Sequence, residues 1–225
     1  MNESSPRPLA RREAARLIEP TACDPDATAA SLEQLCRQAA NEGFPAVCVN
    51  GSRVTQAVHW LEDSEVKVVC AVAFPLGSAD ADVKRFETEV AIDSGAHIIE
   101  VTANCGRLKD GDHAYVLREL RDVVEAAEER PVRLGLNLDL LSSAELETAL
   151  QLALESRAEA LTLAGSGPVE ETVQSVRRLR ELAGSELVIK VECPQLNLRE
   201  MGKLIEAGAG RFGLREVEAL MGELP

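Results

Sequence analysis

The chain has 225 residues, 45% hydrophobic and 28% charged, with 24 Lys and Arg against 38 Asp and Glu and a formal net charge of −14. Apolar content at this level excludes disorder as the main state, and the acidic balance excludes a nucleic-acid or anionic-membrane partner held by charge. No apolar run approaches the ~20 residues of a membrane span, and residues 1–16 carry several Arg with no apolar stretch after them, so no signal peptide is expected.

In chain order, the apolar and β-branched runs Arg16–Thr21, Ala46–Asn50, Val66–Ala73, His97–Ala103, Val132–Asn137, Ala160–Leu163, Leu187–Val191 and Gly210–Gly213 read as eight strands. Helical spacing recurs between them. Val83, Phe86 and Val90 form one apolar stripe, Val169, Val173 and Val176 a second, and Leu198, Met201 and Ile205 a third, each expected to face a core. Ser142 with Glu145, and Asn197 with Glu200, have capping-box spacing. Pro168 suits a first helical turn, and Gly95, Gly184 and Gly208 fall where helices end.

No Pro/Ser/Gly-rich linker divides the chain, so residues 1–10 read as a flexible N-terminal segment and residues 11–225 as one domain. Eight strands alternating with helices predict an α/β fold, a parallel sheet closed into a (β/α)8 TIM barrel. An open doubly wound sheet would usually carry a glycine-rich nucleotide fingerprint after its first strand, and none is present. In a barrel, chemistry belongs at the C-terminal ends of the strands.

Side chains alternate faces along a strand. Glu100, Thr102 and Asn104 therefore share one face of the fourth strand, Arg133 and Asn137 one face of the fifth, and Lys190 and Glu192 one face of the seventh. Unpaired charges are costly inside a barrel, so Glu100, Asn104, Arg133, Lys190 and Glu192 are expected to converge in its upper half. The convergence has two readings, a structural ion-pair network or a polar pocket for a small oxygenated ligand. The cysteines Cys23, Cys36, Cys48, Cys70, Cys105 and Cys193 are scattered without a C-x-x-C, which suits reduced thiols in a cytoplasmic setting and no dedicated metal site. Cys48 and Cys70 read as small packing groups, and Cys105 is the thiol to test for reactivity.

Several segments together resemble the deoxyribose-phosphate aldolase family. Ile18-Glu19-Pro20-Thr21 and Pro25-Asp26-Ala27-Thr28 are similar to its opening I-D-H-T and P-D-A-T, Val47-Cys48-Val49-Asn50 to V-C-V-N, and Phe74-Pro75-Leu76-Gly77 to F-P-L-G. Gly95-Ala96, Glu100-Val101, Asn104, Gly106 and Leu108-Lys109-Asp110-Gly111-Asp112 follow its next motif, and Glu206-Ala207-Gly208-Ala209-Gly210-Arg211 with Gly213 its closing one. The resemblance covers most of residues 17–213 and implies a (β/α)8 barrel. It also implies lyase chemistry of the class I aldolase type. A strand-six lysine forms a Schiff base with the aldehyde, a strand-seven lysine lowers its pKa, and a strand-four aspartate assists proton transfer.

Carried over by position, the Schiff-base residue falls on Thr162, which cannot form an imine. The strand-seven lysine is kept as Lys190, and the aspartate becomes Glu100. The family's G-G-I-R is replaced by Cys193-Pro194-Gln195-Leu196, and its G-x-S-x-G by Gly213-Leu214-Arg215-Glu216. The chain also ends at Pro225, without the family's tyrosine-bearing tail.

The resemblance and the strand faces together assign chemistry to Lys190, Glu100 and Glu192, with Thr162 at the vacated position. It assigns a pocket to Cys48, Asn50, Asn104, Arg133, Asn137 and Thr162. A weak anion site falls on Gly165, Ser166, Gly167 and Arg215, though Gly165 and Gly167 read more simply as a tight βα turn with an N-cap. Two functions follow. One is a family member without normal aldolase activity that binds a small metabolite or pairs with an active aldolase. The other is a lyase with rewired chemistry, acting through Lys190 on a small aldehyde or sugar phosphate. Neither implies a cofactor, and a homo-oligomer fits both.

Overall fold

The computed structural model describes residues 10–185 and 187–224, so the expected flexibility of the first residues lies largely outside it. Eight parallel strands close into one barrel in sequence order: β1 (Ile18–Ala22), β2 (Ala46–Asn50), β3 (Lys67–Val72), β4 (Ile98–Thr102), β5 (Val132–Asn137), β6 (Ala160–Ala164), β7 (Val188–Cys193) and β8 (Arg211–Leu214). Closure is made by β1 and β8, where Ile18 pairs with Phe212 and Glu19 with Gly213. The fold is the (β/α)8 barrel that the strand count predicts, and β2 and β5 have the expected bounds.

Each strand has two environments. The outward side chains, among them Val47, Val49, Ile99, Leu134, Leu161, Ile189 and Phe212, are fully buried in one core against the surrounding helices. The inward side chains divide the barrel interior. Ala46, Cys48, Val69 and Ala71 make a small apolar cluster on the β2–β3 side, leaving the polar residues to β4 through β8 and β1. Aliphatic residues suffice for both layers, which is why a chain with only 3% aromatics can fill them.

The helices around the sheet include α1 (Arg11–Ala15), α2 (Ala29–Glu42), α3 (Val54–Trp60), α4 (Ala81–Asp93), α5 (Cys105–Lys109), α6 (His113–Ala126), α7 (Ser143–Ser156), α8 (Val169–Ala183), α9 (Leu198–Ala207) and α10 (Val217–Gly222). Both expected capping boxes form, Ser142/Glu145 on α7 and Asn197/Glu200 on α9. Pro168 is the residue before α8 rather than its first residue. Gly77, in the turn after β3, is required there. Its φ is +67°, and a Cβ would lie 2.1 Å from the Ala103 carbonyl oxygen. No helix among the described residues is long and apolar enough to cross a membrane.

One helix is turned opposite to expectation. Val83, Phe86 and Val90 of α4 face outward, and the buried side carries Ala81, Lys84, Thr88, Ala91 and Ile92. Lys84 is the reason. Its aliphatic stem packs as apolar surface, and its Nζ donates to Glu119 on α6 at 2.7 Å and to the Thr102 carbonyl at 2.9 Å. The polar letter hides a buried position.

Candidate functional site

Lys190 is the centre of the barrel's polar half. It is the third residue of β7, points inward and is fully buried. Its ammonium donates to Glu100 at 3.0 and 3.3 Å, and lies 3.6 Å from Glu192 and 3.8 Å from Glu19. Gly213 makes this possible. It faces inward on β8, and a Cβ there would sit 2.8 Å from Lys190 Cε and 3.1 Å from Glu192 Cγ. Gly213→Ala is therefore expected to lower the melting temperature and to displace Lys190. Adding Lys190→Met, whose chain end carries no charge to place, should make the glycine change less costly. A double-mutant cycle by calorimetry that shows additive losses would refute the contact.

Glu100 is shared. Besides Lys190 it accepts a hydrogen bond from Thr162 Oγ1 at 2.8 Å, and Arg133 Nη1 lies 3.7 Å away. Thr162 pairs in register with Lys190 across β6 and β7, so the two residues that the resemblance singles out stand side by side. The longer stem of Glu100, compared with the family's aspartate, carries its carboxylate to the threonine hydroxyl.

Glu19 is the site residue that the strand patterns did not reveal. It is buried on β1, takes both terminal nitrogens of Arg133, with Nη2 donating at 3.0 Å, and has Arg211 Nε at 3.6 Å. The available signal was its place in Ile18-Glu19-Pro20-Thr21, where the family has aspartate. Arg133 departs from the expected height. It lies near the start of β5 and lines a cavity of about 160 Å³ at the barrel floor with Ile98, Ala160, Val188 and Arg211. From there it reaches Glu19 rather than the upper mouth.

Burial and neighbouring charge oppose each other at these groups. Burial by itself would strip the Lys190 proton, but Glu100, Glu192 and Glu19 outweigh it and hold the ammonium well above the ordinary lysine value. Burial likewise works against the Glu19 carboxylate, and Lys190 and Arg133 overcome it, keeping the carboxyl below its usual range. At Glu192 burial wins and the carboxyl is raised despite Lys190. The site thus favours the ammonium at Lys190 and raises the carboxyl of Glu192 above its usual range.

The other pocket residues are engaged locally. Asn50 Nδ2 donates to the Cys23 carbonyl, Asn104 Oδ1 caps α5 by accepting from Arg107 N–H, and Asn137 Oδ1 accepts from Asp139 N–H. Cys48 packs against Cys23 with the sulfurs 3.8 Å apart, and that contact together with burial pushes its thiol up. Burial also raises Cys105. At the expected anion turn, the Ser166 N–H points to both Asp139 oxygens at 3.0 and 2.9 Å. Arg215 pairs with Asp24 at 3.0 Å. Beside that turn, Asp139, Gly165, Gly167, Glu171 and Arg178 line a groove of about 420 Å³ between α7 and α8, apart from the lysine. Among the described residues, no three His, Cys, Asp or Glu side chains converge as a metal site would require.

No family model matches the chain. It is 34% identical over 205 residues to deoxyribose-phosphate aldolase of Clostridium perfringens strain SM101, covering 90% of this chain and 92% of that protein. It is 36% identical over 199 residues to the Bdellovibrio bacteriovorus enzyme of the same name, covering 88% and 90%. Among solved structures, a Coccidioides immitis protein described as a deoxyribose-phosphate aldolase superposes with a TM-score of 0.90 at 25% identity, over 97% of this chain and 88% of that one. The tetrameric Aeropyrum pernix deoxyribose phosphate aldolase superposes with a TM-score of 0.84 at 20% identity, over 95% and 91%. Near-full-length identity of this order, on a closed barrel with an inward strand-seven lysine, settles the family: the chain belongs to the deoxyribose-phosphate aldolases.

Proposed function

We propose that this family member binds a small oxygenated metabolite, an aldehyde or sugar phosphate, in its barrel without running the imine route of an aldolase. One observation carries the reading. The strand-six position is Thr162, hydrogen-bonded to Glu100, while the neighbouring Lys190 is enclosed by Glu100, Glu192 and Glu19. Imine formation needs an amine lone pair to attack the carbonyl carbon, and an ammonium has none. Removing the lysine's proton would leave those carboxylates without a central cation. The names of the relatives make deoxyribose 5-phosphate the substrate to test.

The expected result is no borohydride-trapped adduct by intact mass after incubation with acetaldehyde or deoxyribose 5-phosphate. Cleavage should fall at least about a thousandfold below the ~10 s⁻¹ of an ordinary enzyme. Binding is read separately, as a rise in melting temperature with deoxyribose 5-phosphate. An adduct mapped to Lys190, or turnover within tenfold of ordinary, overturns the reading. Either result would support the second one, a lyase rewired through Lys190, which draws on the raised Glu192 carboxyl as a proton carrier beside the amine. The Aeropyrum pernix relative is tetrameric, and self-assembly is part of the proposal for this chain.

A further inference from the structure

We propose that Cys23 and Cys48 are a thiol pair inside the barrel mouth that hydrogen peroxide converts into a reversible disulfide. Their sulfurs are 3.8 Å apart, and both side chains belong to the small apolar cluster of the barrel interior. The backbone holds them from both strands. Thr21 stands opposite Cys48 and Ala22 opposite Val49, which sets Cys23 one step beyond the end of β1, diagonal to Cys48. Asn50 carries the junction past the ladder, its Nδ2 donating to the Cys23 carbonyl at 3.0 Å. The sulfurs have about 1.8 Å to close before they reach bonding distance, a movement that rotation of two side chains supplies.

The two thiols are not equivalent. Cys23 is 7% exposed at the mouth end of its strand, and Cys48 is 1% exposed. The contact with Cys23, together with burial, holds the Cys48 thiol well above its ordinary value, so it stays protonated. Cys23 is therefore the sulfur that a peroxide meets, and Cys48 the one that resolves the product. The Cys23 sulfur attacks one peroxide oxygen, the O–O bond breaks, and the departing hydroxide takes the thiol proton to become water, leaving a sulfenic acid. The Cys48 sulfur then attacks the Cys23 sulfur, the S–O bond breaks, and the hydroxide leaves with the Cys48 proton as a second water. The pair loses two electrons and the peroxide gains them. Thr21 is placed to assist both steps. It is buried in register with Cys48, and its Oγ1 has no hydrogen-bond partner among the described residues, so its hydroxyl is available to the incoming or departing oxygen. Cys36 and Cys70 instead lie in the outer core, where burial pushes their thiols up to about 11 and about 12. The bridge would form in the wall beside Lys190 and Glu100, whose charges act on Cys48. The redox state of the pair thus alters the surface that the barrel offers a metabolite.

The test treats the reduced full chain with hydrogen peroxide near neutral pH, blocks the remaining thiols with iodoacetamide in denaturant, and reads intact mass and peptide maps. The parent should lose two of its six alkylatable cysteines, show Cys23 joined to Cys48, and regain both after dithiothreitol. Cys48→Ser should stop at the sulfenic acid, which dimedone labels at Cys23, whereas the parent takes little label. Cys23→Ser should form no disulfide, and its Cys48 should oxidise at least about tenfold more slowly than the parent's pair. Cys23→Ala gives the same reading if the serine variant melts early. A parent that forms no disulfide while free cysteine is fully oxidised under the same conditions overturns the proposal. So does a bridge to any other cysteine, or one between two chains. Oxidation of Cys48 at the parent's rate in Cys23→Ser overturns the division of roles. None of these readouts depends on catalysis or metabolite binding.

Discussion

Lys190→Met is expected to lower the melting temperature at neutral pH by on the order of 10 °C. The lysine is fully buried among three acidic side chains, and losing it leaves Arg133 and the half-exposed Arg211 beside Glu19, Arg133 at 3.7 Å from Glu100, and the charge of Arg215 acting on Glu192. Breaking a buried charged set costs about 3–5 kcal/mol, and each kcal/mol is worth ~2–4 °C in a domain of this size. The pH dependence has a definite sign. Lys190 has a folded pKa above its unfolded value, so its own contribution is complete throughout the neutral range and is lost only in strong alkali. Glu19 has a lowered folded pKa, so its contribution is present above the ordinary carboxylate value and is lost as pH falls through the folded one. In the variant the carboxyls lose their cation and take up protons more readily when folded than when unfolded, so the variant regains stability as pH falls. The variant's trend narrows the gap toward about pH 5, while the parent's loss at Glu19 sets in only at lower pH. Lys203→Met, which removes an exposed pair with Glu170, should cost almost nothing. A Lys190→Met protein as stable as its parent from about pH 5 to 8 would refute the counter-ion role and favour a neutral, reactive lysine.

The barrel was legible because each strand must present aliphatic side chains to the helix layer whatever its inner face carries. Val132–Asn137 could be read to the residue for that reason. Strand ends were less legible, since ladder hydrogen bonds decide them. β7 starts at Val188 and continues through Glu192 to Cys193, past the last apolar letter of the run. In the site, alternation identified the inward face correctly for Glu100, Lys190 and Glu192. It could not give height, which depends on strand tilt and register. Arg133 is paired with Glu100 in the ladder but belongs to the floor. Glu19 was hidden for another reason. It stands between Ile18 and Pro20, and its ion pairs reveal its importance. Gly213 has no side chain to recognise, and its role is the space it leaves. On α4, periodicity found a real stripe and assigned it to the wrong side. The pattern cannot distinguish a face that packs inside the molecule from one left open while a buried lysine finds a carboxylate.

Thr162→Lys combined with Glu100→Asp is expected to give a protein that traps an aldehyde stoichiometrically at residue 162. Thr162 is in register with Lys190, so a lysine there would project its amine beside an existing ammonium. Like-charge repulsion and burial then both lower the new amine's pKa, giving it the neutral fraction that Lys190 lacks. The second change is needed because Glu100 lies 2.8 Å from the Thr162 hydroxyl and would pair with the new side chain. Shortening it by one methylene withdraws the carboxylate toward β4. The neutral amine can then form a C–N bond to the aldehyde carbon, the carbonyl oxygen leaves as water, and borohydride fixes the imine as a secondary amine. Intact mass should show one adduct and peptide mapping should place it at residue 162. Cleavage of deoxyribose 5-phosphate should rise together with adduct formation, because the imine supplies a covalent route that a threonine cannot. Thr162→Lys alone should trap far less, because Glu100 holds the new amine as an ammonium. Adding Lys190→Met to the double variant should reduce trapping near neutral pH and restore it at higher pH, since the repulsion that lowered the amine's pKa is gone. A double variant that folds like its parent and forms no adduct would show that more than the strand-six lysine separates this barrel from an aldolase.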